Sequence, residues 1–466
     1  MEEDLQILHE ATFSLLKRTG VRVDSLRALE YLAGAGVRVD STAMRVYPEA
    51  RHFEGALAAA PRFMTIHGRR PGQDRPVILG GDHANVMSGG ASVRVLTVDG
   101  QYQPATWEHL RQFNVLLDAL PNIHMHFNQV DPVDQAGPGF YKMLAAEMLT
   151  GCTKPLCLQA PTPGDVQAMI EMGAVIRGSR AALVKQPLFL IGLNAEPPLR
   201  ISADVAEALI LTCAAGLPVS IGHYAMMGVS GPVTAAGTVV QTNAVQVIAI
   251  ILAQAIRCGT PICYTSFSGG ADLRTLDVVT SSPHALQLLR LGIRMGRYYG
   301  LPTYSTIGTD ARDADAQAAC EMAVQLQVGF DAGAHVLQGP TSDMDRFMLS
   351  SFVQAVVDND IAGYVLAARR QPSVCTTALA LEEAHEVVTD PQYAQLKFAS
   401  HEHTVRHMRD ETWSPWAFSY ENLSAWETAG STSVVARAAA KARDILANHR
   451  PKLLPKGIAD SVRVHC

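Results

Sequence analysis

The residues able to do chemistry in this sequence collect at the ends of short apolar runs. "NIHMHFNQV" carries His124, His126 and Asn128; the runs after it end on Gln159, on Asn194 and Glu196, on His223 and Tyr224, and on Ser266 and Phe267. "GLPTYSTIGTDARDADAQAACE" (Gly300 to Glu321) breaks at Gly308, then delivers Thr309, Asp310, Arg312, Asp313 and Asp315 before a helical pattern resumes. "GAHVLQGP" adds His335 and Gln338. Together they describe a polar mouth with aromatic faces.

Familiar catalytic sets are incomplete. The H-x-H pair of His124 and His126 is the arrangement that metal-dependent hydrolase barrels place on a first strand. Catalytic zinc takes about three protein ligands and an open position, and the remaining ligands are poorly supplied, so no metal is expected. His403 and His407 stand at i, i+4, but Glu402 precedes the first of them, so H-E-x-x-H is absent and the pair reads as a helix face. There is no G-x-S-x-G, and none of the eight cysteines has CxxC spacing; they read as reduced and core-filling. "VMSGGAS" (Val86 to Ser92) is a turn signal and too weak for a phosphate cradle.

The elements that must position these residues follow a repeat of punctuation. Pro155, Pro187, Pro218, Pro261 and Pro302 each open a β-prone run, where a missing N–H costs little, and each run follows a helix-like segment. With "NIHMHFNQV" and "GAHVLQGP" the series counts seven strands alternating with helices from Asn122 to about Arg370. Short, continuously apolar strands between helices indicate a parallel sheet. Seven units, with an eighth hidden, predict an α/β fold of the (β/α)8 barrel type. A Rossmann-type sheet is the alternative, but no G-x-G-x-x-G follows the first strand. Residues 1–120 read as an N-terminal helix-plus-strand extension, 121–372 as the barrel core, and 373–466 as a C-terminal helical cap that completes the barrel or dimerises.

Composition narrows the function. Of 466 residues 48% are hydrophobic and 18% charged, the balance of a folded globular chain. A formal net charge of -6 without a Lys/Arg-rich block argues against nucleic acid or anionic membrane as partner. The acidic N-terminus "MEEDLQILHEATFSLL" is not a secretory signal, so a cytoplasmic location is expected. The longest apolar run, Asn243 to Ile256, is too short to span a bilayer and reads as a buried helix.

Several ordered blocks carry a resemblance. "SGPVTAAGTVVQTNAVQVIAIILAQAIRCGTPICYTSFSGGADLRT", "LPTYSTIGTDARDADAQAACE", "HEHTVRHMRDETWSPW" and "YENLSAWETAG", with N-terminal blocks that extend the match over nearly the whole chain, resemble the trimethylamine methyltransferase family. The resemblance implies a (β/α)8 barrel that moves a methyl group from a methylated amine to the Co(I) of a corrinoid protein. The archaeal trimethylamine enzymes carry pyrrolysine, whereas this chain has only standard residues, which points to the non-pyrrolysine branch and to quaternary amines such as glycine betaine, proline betaine or carnitine. The cofactor is then a corrinoid held by a partner protein, the chain binds none tightly of its own, and a homo-oligomer is expected. A metal-dependent hydrolase of barrel type and a non-catalytic betaine-binding barrel are the alternatives.

On that reading the protein positions rather than attacks. Aromatic faces hold a trimethylammonium group, and Tyr224, Tyr264, Phe267 and Tyr304 lie on neighbouring strands or their ends, although core packing is the more common role for each and the strand faces cannot be assigned from alternation. His223, His335 and Gln338 complete the expected substrate site, and no catalytic residue is assigned. Arg312 is expected either to grip a substrate carboxylate with its planar fork or to pair with Asp310 or Asp313. Asp310 or Asp313 is expected to cap the helix that begins near Ala314.

Overall fold

The structure, a computed structural model, describes residues 2–69, 75–135, 137–341 and 343–466. The five prolines stand immediately before strands or one residue earlier. Lacking an N–H, they contribute their carbonyls: those of Pro155, Pro218, Pro261 and Pro302 accept from the N–H of His126, Ile191, Val219 and Tyr264 on the preceding strand, at 2.8–3.0 Å. These four prolines thus start their strands and tie each to the one before it, while the Pro187 carbonyl accepts from the His67 N–H at 2.7 Å.

Seven of the eight barrel strands are β1 (Asn85–Met87), β3 (Leu156–Gln159), β4 (Phe189–Ala195), β5 (Val219–His223), β6 (Ile262–Ser266), β7 (Thr303–Thr306) and β8 (Val336–Gln338). They form one sheet in which every neighbouring pair is parallel. The segment 124–126 is β2: it bridges β1 at Met87–Met125 and β3 at His126–Leu156, which closes the ring. The helices α1 (Trp107–Ala119), α2 (Phe140–Gly151), α3 (Pro163–Arg177), α4 (Ala203–Ala215), α5 (Ala235–Ile256), α6 (Pro283–Tyr298), α7 (Ala316–Asp331) and α8 (Phe352–Ala368) follow the strands in turn. The fold is a (β/α)8 barrel. Its eighth strand is β1, inside the stretch 1–120 that the sequence assigns to the extension, so the barrel begins near residue 85 and not 121. β8 is equally short but follows a helix, whereas β1 follows only turns, which is why it escapes the pattern.

The segments before β1 cover two surfaces. Helices Glu2–Arg18, Leu26–Gly34 and Ala50–Ala59 pack on α5. This accounts for the uniformly apolar run in α5: among the described residues it is the one helix long and apolar enough to cross a membrane, and 83% of that stretch is buried within the chain. Its buried Gln246 donates to the Ile221 carbonyl at 2.6 Å and accepts from the Thr265 N–H at 3.1 Å, stitching β5 to β6 beyond their two paired positions. The antiparallel hairpin of Met64–Ile66 and Val77–Leu79 seals the N-terminal end of the barrel. Met64, Ile66, Val77 and Leu79 pack there against inward side chains of the strands, among them Met87, Met125, Cys157 and Leu190.

At the C-terminus, helix Val434–Asn448 packs on α1 and α8, and Lys456–Arg463 packs on α2 and α3. Between α8 and that return, the helices Thr376–Leu379, Glu402–Glu411 and Leu423–Thr428 bury no side chain. The return is pinned by Asp360 of α8, 1% exposed, whose carboxylate accepts the backbone N–H groups of Trp416, Ala417 and Phe418 at 2.6–3.0 Å. Asp360→Ala removes a charged acceptor from three N–H groups. It is expected to cost ~2–3 kcal/mol and to expose the C-terminal segment to protease, measured by thermal melts and limited proteolysis against wild type.

Candidate active site

Strand side chains alternate between the inside of the barrel and its helical coat. The two principal clusters of buried apolar residues separate by this parity: Met87, Met125, Phe127, Cys157, Leu190, Cys263, Tyr304 and Val336 pack together inside, whereas Val86, Ile123, Leu158, Ile191, Tyr264 and Leu337 pack against the helices. Two residues further along each inward row lies the C-terminal mouth, where active sites of such barrels sit. A cavity of about 360 Å3 opens there, lined by residues that include Phe127, Cys157, Gln159, Asn194, Tyr224, Phe267, Tyr304, Gln338, Asp343 and Phe347.

The wall is aromatic. Phe267 meets Tyr304 edge to face at 4.9 Å and 88°, and Tyr224 meets Phe347 in the same way at 5.9 Å. The Tyr304 hydroxyl donates to Oε1 of Gln338, which fixes the ring. Two buried polar atoms of lining residues, the Tyr224 hydroxyl and Oε1 of Gln159, have no hydrogen-bond partner among the described residues. Burial raises both tyrosine hydroxyls above their ordinary range and pushes the Cys157 thiol up to about 12, so the one thiol on the wall stays protonated near neutrality. Among the described lining residues the single ionisable carboxyl is Asp343, and none is Lys, Arg or His.

The room depends on glycines. A Cβ on Gly222 would overlap the Phe267 ring and lie 2.6 Å from Oδ1 of Asn194, and one on Gly90 would overlap the Phe127 ring and the Asn128 carbonyl. One on Gly89 would stand 2.5–2.8 Å from the atoms of the Asp343 carboxylate. The "SGG" turn is thus a close-approach device of the cavity.

Of the eight expected substrate-site residues, Tyr224, Phe267, Tyr304 and Gln338 lie on this wall. The other four lie off it. Tyr264 has outward parity, and its hydroxyl donates to Asn243 of α5 at 3.0 Å; Asn243 in turn donates to Thr12 and Tyr299. His223 is likewise outward and fully buried, with neither ring nitrogen partnered among the described residues, and burial lowers its pKa to about 4. His335, at the base of β8, accepts from the Thr303 N–H at 2.9 Å and meets Arg297; burial, then Arg297, hold its pKa at about 4. Arg312 is largely exposed and pairs with Asp345 at 3.4 Å, which corrects the expected pairing with Asp310 or Asp313.

The remaining polar candidates have structural partners. Asp310 accepts from the N–H and hydroxyl groups of Thr280 and Ser281, and α7 is capped by Asp315, which accepts the Ala318 N–H at 3.0 Å; the expected cap by Asp310 or Asp313 is corrected. Thr309 bonds Glu321, Glu196 pairs with Arg200, and Asn128 donates to Asp131. Both histidines of "HMH" turn outward: Nε2 of His126 meets Oδ1 of Asn114 at 2.8 Å, and Nδ1 of His124 accepts the Val86 N–H. Among the described residues no three His, Cys, Asp or Glu side chains converge as a metal site. Sequence reasoning missed Phe127, Phe347 and Asp343. Phe127 shares the parity of Met125, a signal once β2 is recognised, but "TSDMDRF" advertises neither Asp343 nor Phe347.

Residues 1–465 match the family model for trimethylamine methyltransferase (MTTB). The chain belongs to the trimethylamine methyltransferase family. It is 27% identical to a trimethylamine methyltransferase of Desulfitobacterium hafniense, over 99% of this chain and 92% of that one. To a glycine betaine methyltransferase of the same species it is 26% identical, over 97% and 93%. Among solved structures, the monomethylamine methyltransferase of Methanosarcina barkeri superposes with a TM-score of 0.52 at 10% identity, over 94% of this chain and 96% of that one, which shows the shared fold. Membership in the trimethylamine methyltransferase family makes the chain a methyltransferase.

Because Arg312 lies off the wall, Arg312→Ala is expected to change stability by no more than ~1 kcal/mol, as for an exposed ion pair. It should weaken carboxylate-bearing and carboxylate-free ligands to the same small extent, which calorimetric titration of both proteins with glycine betaine and with tetramethylammonium checks.

Proposed function

We propose that this methyltransferase takes a methyl group from a quaternary amine and passes it to the Co(I) of a corrinoid protein docked at the C-terminal mouth of the barrel. The observation that carries this reading is the cavity wall: five aromatic rings, one carboxyl and no basic side chain among the described lining residues. Such a wall favours a bulky, weakly hydrated cation, each aromatic face contributing ~0.5–2 kcal/mol. The family match and the glycine betaine methyltransferase among the relatives agree with it.

Reactivity supports the quaternary class. A quaternary ammonium that loses a methyl leaves as a neutral tertiary amine, so no side chain need protonate the leaving nitrogen. The wall has no activated nucleophile of its own, since Cys157 is held as a thiol, and the corrinoid supplies one. The rim suits a docked partner. The small sheet of Ala225–Met226, Ser268–Asp272 and Asp277–Val279 stands where β5 and β6 end, and Val229, Val233, Leu273 and Leu276 around it are exposed.

The chain's own work is to orient and to exclude water. Phe267, Tyr304, Tyr224 and Phe347 hold the ammonium with one methyl toward the mouth. Asn194, exposed to the cavity, and Gln159 offer neutral amide donors to the carboxylate of a betaine, in place of the guanidinium expected from Arg312.

Free cob(I)alamin with quaternary amines and trimethylamine tests the reaction. Methylcobalamin, followed by its absorbance, is expected with a quaternary amine and not with trimethylamine; faster turnover with trimethylamine would sink the quaternary reading. Phe267→Ala, which removes one face of the cage, should lower kcat/KM for the quaternary amine by ~2–30-fold while the melting temperature stays near that of wild type.

A further inference from the structure

Asp343 is the one feature of the cavity that a hydrophobic cage does not need. It is 1% exposed, yet it is one of the residues that line the cavity. The backbone gives it one direct hydrogen bond, from the Gly90 N–H to Oδ1 at 2.7 Å. Two features hold it there. Its own backbone is tied to the rim, accepting from the Thr309 N–H at 2.8 Å, and Gly89 leaves room for the carboxylate where any larger residue would displace it. An uncompensated carboxylate in an apolar wall is costly, and such groups persist where they are paired or meet a ligand.

We propose that Asp343 is the counter-ion of the substrate's ammonium group and the residue that makes the cavity select a cation over a neutral molecule of the same shape. This rests on the reading of the cavity as an ammonium site and goes beyond it. The aromatic rings accept any trimethyl-substituted head, whereas a full charge opposite the nitrogen separates a quaternary ammonium ion from its carbon isostere.

A linked proton follows. Burial, with Asp358 of α8 nearby, raises the Asp343 carboxyl well above the ordinary carboxylate range. The ionisable groups that face it are Asp358, Tyr224 and Tyr304, with Cys157 beside Tyr304; the two tyrosines and the thiol are all raised, so they remain neutral near pH 7. A bound cation favours the ionised carboxylate, so at pH values below the free carboxyl's pKa the entry of the ammonium releases a proton to solvent: a neutral carboxylic acid and a quaternary ammonium ion become a carboxylate–ammonium pair and one released proton. The sign is fixed. Affinity for the cation rises with pH, by up to one decade per unit, between the carboxyl's pKa in the complex and its higher pKa in the free protein, and is level above that.

The test uses tetramethylammonium, choline and the neutral carbon isostere of choline, in which a quaternary carbon replaces the nitrogen. Wild type titrated calorimetrically over a pH series, in buffers of different ionisation enthalpy, should release protons on binding the two cations at the pH values where their affinity rises with pH, and none on binding the isostere. Asp343→Asn keeps the acceptor for the Gly90 N–H and removes the charge. It should weaken both cations by at least ~30-fold at pH values where wild type binds best, leave the isostere bound as well or better, and flatten the pH dependence. A melting curve establishes that the variant is folded, and proton release by wild type reads the same linkage without any substitution. Equal affinity of wild type and variant for the cations, with no proton released, would overturn the role of Asp343 while leaving the methyl-transfer reading to the cobalamin assay. A wild type that binds no quaternary ammonium would overturn both.

Discussion

Closing eight strands into a ring leaves space inside for alternate side chains only, and everything else in this molecule answers to that limit. An interior of this size is normally filled by bulky branched residues in layers. Here the lower rows obey, with Met87, Met125, Leu190 and Val336 packed against the hairpin that seals the base. The rows above do not. Gly192, Ser220 and Gly222 occupy inward positions at the level of the mouth, so the barrel cannot fill itself and a chamber remains. Of the aromatic rings that wall it, Tyr304 rises from the filled row itself, level with Val336, and the others come from the next inward positions or from loops beyond the strands.

The same limit decides how much was legible in the sequence. Seven strands announce themselves because each is a short apolar run behind a helix, five of them led by proline; β1 does not, being three residues in a stretch of turns. The cavity wall was half readable. His223 and Tyr224 are adjacent, as are Ser266 and Phe267, and a shift of one residue sends a side chain either into the chamber or toward the helices. Without the register, Tyr264 and Tyr304 look alike; with it, one joins the network of Asn243 and the other the cavity wall. Arg312 misled because an isolated charge beyond a strand end has the same appearance whether it faces a ligand or a neighbouring loop. The family resemblance needed none of this geometry, since it rests on several ordered blocks and not on parity.

The loop after β8 brings together much of what the sequence hid. It carries Asp343 and Phe347 into the cavity, and Asp345, Arg346 and Phe347 all hold positive φ, of 43, 63 and 70°. Non-glycine residues in that region need outside support. Arg312 provides part of it through Asp345, Arg346 pairs with Asp277 at 3.0 Å, and the Asp345 N–H donates to the Ala311 carbonyl. Arg312 therefore serves the site at one remove, as a brace for the loop that presents the carboxyl and a ring.

Among the described residues, the hairpin packs across the base of the barrel, and the chamber opens at the C-terminal mouth. In the proposed reaction that mouth must admit the amine, then be covered by the protein that receives the methyl group, and then release the demethylated product. A molecule inside cannot leave past a docked partner, and none can enter behind it. With a partner docked there, turnover in the proposed reaction takes a fixed order: small molecule first, large partner second, and departure of the partner before the chamber is emptied and refilled.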